Sequence, residues 1–437
     1  MSARETALNV LIACRKNGAW SNGVLKEYVR RDRLDSRDSG LAARLCYGVM
    51  QNRNYLDFYL AQLLTGRIKD LHPIVRDILH IGLYQIYQMD KIPESAAVNE
   101  SVELAKKYCK KQRTASGLVN GVLRNAVRTK GALKEPNSYE DKYSHPGDLI
   151  NLLKAYVGKE RLEPMLKANN EIAPLTVQVN TLKITQEALQ KQLAEEGVSA
   201  EPHPWLANCL ILSGTGNMEQ LPSFKDGLFY VQDGAAKLSV LCAELKPGQQ
   251  VLDCCAAPGG KSFAAAMAMN GQGSITSCDV HEHKTELIAR GAERLGLDLV
   301  TAKLHSATDF NPQWEEKMDT VIADVPCSGL GIIRKKPDIR YKDLKTMAEL
   351  PALQTEILNN VCRYVKPGGL LLYSTCTLVR AENEDVVEKF LQTHPDFTTE
   401  PLPLSAPFPK NESGMLTLVP GEYDTDGFFI CRLRRKQ

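Results

Sequence analysis

A chain of 437 residues with 43% hydrophobic and 24% charged residues is too long for one ordinary core and has the balance of a soluble protein of two or three domains. No apolar run approaches the ~20 residues needed to cross a bilayer, and the N-terminus MSARETALNV lacks the cationic and apolar stretches of a secretory signal, so no membrane association and a cytoplasmic protein are expected. The net charge of +2 hides an asymmetry: residues 1–145 carry 24 Lys+Arg against 15 Asp+Glu, the rest 30 against 37, so the basic part is the N-terminal third.

From residue 1 to about 130, apolar positions recur at three- and four-residue spacing in ETALNVLIAC, SGLAARLCYGVMQNRNYLDFYLAQLL and PIVRDILHIGLYQIYQM, which predicts an all-helical bundle. Breaks are expected at Asn17-Gly18, Gly66 and Lys91-Ile92-Pro93, with Pro73 in the first turn of a helix. Between Ala97 and Val127, helical apolar positions alternate with Lys106, Lys107, Lys110, Lys111 and Arg113, so several cations share one surface, suited to a polyanion or simply a solvated basic face. The stretch AVNESVELAKKYCKKQRTASGLVNGVLRNAVR resembles the end of the RNA-binding domain of the NusB family. Asn99, Glu100, Asn120, Gly121, Leu123, Arg124 and Asn125 stand in that family's places, and the resemblance covers roughly the first 130 residues.

Residues 131–145, GALKEPNSYEDKYSH, lose periodicity and gather Pro, Gly, Ser and charge, as a linker does. A strand in LTVQVNTLK and a helix in ITQEALQKQLAEEGV ending at Gly197 predict a small α+β segment. From Gln249 strands and helices alternate through QQVLDCC, SITSCDV, MDTVIADVP, GLLLYSTCT and GFFICRLRR, which predicts a doubly wound α/β domain. The expected organisation is multidomain: a helical bundle over 1–140, an α+β segment over 141–230 and a catalytic Rossmann-like domain over 231–437.

VLDCCAAPGGKSFAAAMA reads as a buried strand, a tight small-residue loop and a helix, an arrangement that brings backbone close to a nucleotide-like ligand. A phosphate loop would need glycine at position 255, which is Cys255, and the dinucleotide pattern G-x-G-x-x-G is absent, which also disfavours an NAD oxidoreductase. What remains is the loop of class I S-adenosyl-L-methionine methyltransferases, with Asp279, 26 residues after Asp253, placed to take ribose hydroxyls or to cap a helix. His281 and His283 follow without the further ligands of a metal site, so no metal is expected.

The twelve cysteines form no C-x-x-C pair, and most should be free, buried thiols. Cys327 in IADVPCSG and Cys376 in YSTCT differ, since both fall beyond the carboxyl ends of strands, where such sheets bind ligands, and Asp324 lies three residues before the first. DCCAAPGGK, DVPCSGLGIIRKKPDIR, YSTCTLVRAENEDVV and DGFFICRL resemble the RNA cytosine-5 methyltransferases of the NOL1/NOP2/sun family over residues 146–437. Carbon 5 of cytosine is a poor nucleophile until a thiolate adds at carbon 6, after which an acid near N3 stabilises the adduct and a base removes the proton from carbon 5. The resemblance, which alone ranks the two thiols, implies Cys376 as nucleophile, Cys327 assisting product release and Asp324 contacting the cytosine. It also implies an S-adenosyl-L-methionine site made of Cys255, Ala256, Ala257, Pro258, Gly259, Gly260, Lys261, Asp279 and Asp324.

One departure stands out. Where that family has an acid after the third strand this chain has Ser306, whose hydroxyl could still accept a bond from an adenine amine, and Asp309 is the other candidate. Arg334, Lys335, Lys336 and Arg340 either hold phosphates beside an unstacked target base or form a solvated basic turn. The fusion of a NusB-like domain to this catalytic domain is similar to the RsmB, Sun or Fmu family of 16S rRNA methyltransferases, which implies 16S rRNA as partner and cytosine 967 as target. The competing readings are the same chemistry on tRNA and a non-catalytic RNA-binding assembly factor; the presence of both cysteines and the cofactor loop argues against the second.

Overall fold

The computed structural model describes residues 1–17 and 21–437, and the break expected at Asn17-Gly18 runs into the residues outside that range. The chain forms two compact units, Met1–Ala155 with Ile333–Lys342, and Tyr156–Ile332 with Asp343–Gln437. Among the described residues no helix is long and apolar enough to cross a membrane.

The first unit holds helices α1 (Ala3–Asn17), α2 (Ser21–Arg31), α3 (Ser36–Gln51), α4 (Arg53–Leu63), α5 (Pro73–Gln88), α6 (Glu94–Tyr108) and α7 (Ala115–Arg128). Asp35 caps α3 by accepting from the Asp38 amide, and Pro73 begins α5, where its missing amide costs nothing. The periodic apolar positions meet in one core that includes Leu8, Leu45, Leu56, Leu60, Ile78 and Leu79, all fully buried. Each such leucine contributes about 2 kcal/mol by leaving water. A side chain at Gly48 would lie 2.0 Å from the Tyr84 ring, so glycine there lets α3 and α5 approach.

Residues 131–145 differ from a bare linker. Tyr59 donates to Glu135, the Tyr55 amide donates to the Ser144 hydroxyl, and Ser144 and His145 are fully buried. Most of the stretch is exposed as its composition predicts, while Glu135 and Ser144 serve internal hydrogen bonds. Arg340 also departs from expectation: its guanidinium is 1% exposed and donates to the carbonyls of Gln51 (2.8 Å) and Ser144 (3.1 Å). It satisfies buried backbone acceptors and is not a solvated phosphate ligand, whereas Lys335 and Lys336 are exposed and Arg334 is buried.

The second unit carries two sheets. The smaller is antiparallel, in the order β2-β3-β1-β4, from β1 (Leu175–Val179), β2 (Ser199–Pro202), β3 (Cys209–Ser213) and β4 (Phe229–Val231). The helix Gln186–Glu195 after β1 is capped by Thr185 and ends before Gly197, whose φ of +78° is costly for other residues. The larger sheet comprises β5 (Gln250–Asp253), β6 (Ser274–Asp279), β7 (Val300–Leu304), β8 (Met318–Asp324), β9 (Val365–Thr375), β10 (Phe397–Thr399), β11 (Met415–Leu418) and β12 (Phe428–Arg435). Its order is β10-β12-β9-β8-β5-β6-β7, with β11 on β12; β5 to β9 run parallel and β12 is antiparallel to β9. Strand order reverses between β5 and β8, and the crevice beyond their carboxyl ends is where a doubly wound sheet binds ligands.

Candidate active site

Three strand ends converge at that crevice. β5 runs into the loop Cys254–Gly259 and the helix Gly260–Ala268, β8 ends at Asp324, and β9 ends one residue before Cys376. Asp324 pairs in register with Ser374, whose hydroxyl donates to Asp324 Oδ1 at 2.8 Å, while Lys261 Nζ lies 2.5 Å from Asp324 Oδ2. The ammonium also sits 5.1 Å from the Phe428 ring centroid, so the start of β12 closes one side of the site.

All twelve cysteines are free thiols, and four are only half-buried: Cys14, Cys255, Cys327 and Cys376. Three of these four lie in the crevice. The sulfurs of Cys327 and Cys376 are 3.2 Å apart, within reach of a shared proton. Contact with the Cys376 sulfur and burial push the Cys327 thiol well up from its ordinary value, so Cys327 holds its proton at neutral pH.

Glycine backbone sets this spacing. The Gly331 amide donates to the Cys376 carbonyl at 3.0 Å, and the Gly427 amide donates to the Gly331 carbonyl at 2.8 Å. A side chain at Gly331 would meet the Gly427 oxygen at 2.0 Å. Three segments, the Cys327 loop, the end of β9 and the turn into β12, are thereby stapled together.

On the cofactor side, Gly259 has a φ of +109°, and a Cβ there would lie 2.4 Å from the Phe263 ring. The loop is braced from beneath: the Ala256 amide donates to the Cys278 carbonyl (2.8 Å), and the buried Asp253 accepts from Ser262 (2.7 Å). Asp279 at the end of β6 is 7% exposed and takes the His281 amide on Oδ1, leaving Oδ2 without a hydrogen-bond partner among the described residues. Beside it Val280 and Leu304 are 60% and 59% exposed, an apolar patch at the mouth of the loop. Ser306 follows β7 close by, since the His305 amide donates to the Asp279 carbonyl, but its hydroxyl is engaged with Thr308 at 2.7 Å. Asp309 is exposed, and its carbonyl accepts from Asn360 and Tyr364. Among the described residues no group of three or more His, Cys, Asp or Glu is placed to hold a metal ion.

Burial raises the Asp253 carboxyl to about 7 against the hydroxyl bond from Ser262, which lowers it. A carboxyl raised in the folded state favours folding most below its unfolded value, and that advantage fades as pH climbs from about 4 to about 7. Wild type should therefore lose stability relative to Asp253→Asn over this window, by a few kcal/mol at most, and then run parallel to it above pH 8. Thermal melts across pH 4.5–8.5 check this; a constant difference between the two proteins contradicts it.

The 16S rRNA methyltransferase RsmB/F family matches residues 240–434, a ferredoxin-like domain of RsmF/B-like methyltransferases matches 145–219, and the NusB family matches 1–128. The probable ribosomal RNA small subunit methyltransferase B of Bacillus subtilis (strain 168) is 36% identical over 447 residues, covering 100% of this chain and 99% of that protein. The chain belongs to the ribosomal RNA small subunit methyltransferase B family. Two solved structures are similar to this family member. PH0851 has a TM-score of 0.81 at 26% identity, covering 99% of this chain and 98% of its own. A methyltransferase homolog from Pyrococcus horikoshii has a TM-score of 0.59 at 28% identity, covering 68% and 97%. The expected fold, an all-helical domain, a small α+β segment and a Rossmann-like α/β domain, is the one observed.

A methyltransferase B family member is an S-adenosyl-L-methionine-dependent RNA methyltransferase, and S-adenosyl-L-methionine is its cofactor. The crevice fits that cofactor: Asp279 has an acceptor that would take a ribose hydroxyl, and the exposed Val280 and Leu304 would offer apolar surface to an adenine ring. Gln354, Ser374, Glu382, Asn383, Gly331 and Gly427 were not marked by the sequence as site residues. AENED before an apolar-periodic stretch looks like the acidic first turn of a helix, and only the fold reveals that Glu382 and Asn383 are buried.

Proposed function

We propose that this enzyme methylates carbon 5 of a cytosine in 16S rRNA, at cytosine 967, through a covalent adduct between Cys376 and carbon 6. The observation that carries the reading is the 3.2 Å pair of sulfurs beside an Asp324 held by Ser374 and Lys261, at the switch point of a methyltransferase sheet. The substrate comes from the family relatives, and the division into RNA-docking residues 1–140, intermediate residues 141–230 and catalytic residues 231–437 belongs to the same reading. On the first segment Lys106, Lys110, Lys111 and Arg113 are exposed, and Asn99, Lys106, Asn120 and Arg124 line one polar groove of about 400 Å³. Such a surface suits phosphates and ribose.

The Cys376 thiolate adds to carbon 6, its electron pair forming the C–S bond while the ring double bond shifts density onto carbon 5. In this reading Asp324 contacts the pyrimidine edge and supports protonation at N3. S-adenosyl-L-methionine, when bound, supplies the methyl group as an electrophile. Loss of the carbon 5 proton to a base then restores the ring double bond and expels the Cys376 sulfur. Cys327 assists this departure with the proton it holds 3.2 Å away.

The test is incubation of purified protein with methyl-labelled S-adenosyl-L-methionine and unmethylated 16S rRNA, followed by mapping of 5-methylcytosine. Label in one cytosine at position 967 is expected. Label in naked tRNA with none in 16S rRNA, from a protein that binds the cofactor, would overturn the substrate assignment.

A further inference from the structure

Nothing about a 3.2 Å thiol pair is self-maintaining, because the two cysteines sit on separate loops 49 residues apart in sequence. Each is bracketed on both flanks, Cys376 by Asn383 and Cys327 by the adjacent Glu382 together with Gln354. Asn383 holds Cys376: Thr375, on one side, donates its hydroxyl to Asn383 Oδ1 at 2.6 Å, and the Asn383 amide donates to the Thr377 carbonyl, on the other, at 3.1 Å. Glu382 holds Cys327: the Ser328 amide, on one side, donates to Glu382 Oε2 at 2.8 Å. Gln354 donates both to that same oxygen (3.0 Å) and to the Pro326 carbonyl on the other side (2.9 Å). A hydroxyl pair between Ser328 and Thr377 at 2.7 Å ties the two loops directly.

Gln354, Glu382 and Asn383 are all but fully buried, so each bond is made away from water and breaking one leaves a partner unsatisfied. Glu382 is itself held, its carbonyl accepting from the Tyr373 hydroxyl on β9. A buried Glu382 carboxyl also stands beside the Cys327 loop, and it is among the groups that push the Cys327 thiol up.

We infer that Glu382, with Gln354, and Asn383 are positioning residues that fix the two active-site cysteines separately, Glu382 serving the release step through Cys327 and Asn383 the addition step through Cys376. This rests on the cysteine roles proposed above. None of the three need touch RNA or cofactor. Simple structural support would make all three substitutions act alike, whereas separate positioning makes them act on different steps.

The experiment compares Glu382→Ala, Glu382→Gln, Gln354→Ala, Asn383→Ala, Cys327→Ala and wild type as full-length proteins with S-adenosyl-L-methionine and unmethylated 16S rRNA. It reads first-turnover methylation, steady-state turnover and the fraction of protein in a denaturation-resistant RNA adduct. Glu382→Ala should behave as a weaker Cys327→Ala: steady-state turnover falls about tenfold or more, the first turnover changes less than about threefold, and adduct accumulates. Glu382→Gln, which keeps an acceptor for the Ser328 amide, should recover part of the turnover. Asn383→Ala should lose the first turnover and form no adduct. Should Glu382→Ala fail to melt cooperatively, Gln354→Ala carries the test, since it leaves the carboxylate in place and should also accumulate adduct. Equal loss of first and later turnovers in the Glu382 and Asn383 variants, while Cys327→Ala accumulates adduct, overturns the inference. Absence of adduct in Cys327→Ala itself overturns the Cys327 role on which it rests.

Discussion

Cys376→Ala is expected to bind S-adenosyl-L-methionine as wild type does and to methylate at background, a loss on the order of 10⁴-fold or more in the first turnover. The size follows from the chemistry. Without a nucleophile at carbon 6 the cytosine ring does not develop density at carbon 5, so the substitution removes the path itself. The fold should survive, because Cys376 is only half-buried and the backbone carbonyl that accepts from Gly331 is unchanged. Cofactor binding should survive too, since the proposed cofactor loop from Cys255 to Lys261 is separate from the Cys376 loop. Equilibrium cofactor binding and single-turnover methylation measured on the same preparation check both halves. Residual methylation within about tenfold of wild type would remove Cys376 from the role of nucleophile.

Gly331→Ala should be the most damaging substitution outside the reacting groups. Its added methyl would lie 2.0 Å from the Gly427 carbonyl oxygen and 2.9 Å from that of Cys376, both backbone atoms that cannot rotate away. Relief requires the Cys327 loop and the turn into β12 to separate, which breaks the Gly331–Cys376 and Gly427–Gly331 hydrogen bonds or stretches them. Overpacking of this kind costs roughly 1–3 kcal/mol, and the lost bonds add about 1 kcal/mol each. The activity loss should exceed what the stability loss explains. A displacement of about 1 Å between reacting groups costs on the order of 10²-fold, and here the displaced groups are the two thiols. Urea unfolding and first-turnover methylation of Gly331→Ala give the two numbers; a variant within 0.5 kcal/mol and about twofold of wild type would show that the staple does not set the thiol spacing.

Much of this was legible before the structure because the signals are local. Helical periodicity marked the first 130 residues, and VLDCCAAPGGKSFAAAMA marked a strand, a tight loop and a helix that the structure shows in that order, because small residues at that spacing suit a sharp strand-to-helix turn. Cys327 and Cys376 stood out because each follows a buried strand of a parallel sheet. What stayed hidden is long-range. No spacing in the sequence says that residues 327 and 376 touch, that Glu382 and Asn383 turn inward, or that Gly331 and Gly427 meet backbone to backbone. Arg340 illustrates the opposite error, since a cluster of cations reads as solvated unless one knows that buried carbonyls of Gln51 and Ser144 await one of them. The end of the stretch 131–145 hides the same way, since only the fold shows that Ser144 and His145 are buried.

In the proposed mechanism Cys376 carries the cytosine and Cys327 lets it go. The most direct measurement uses Cys327→Ala with S-adenosyl-L-methionine and unmethylated 16S rRNA, nuclease digestion of the denatured protein, and mass spectrometry of its peptides. A methylated cytidine remnant on the peptide containing Cys376, and on no other cysteine, is expected. A remnant on a different residue, or full turnover with no adduct at all, would contradict it.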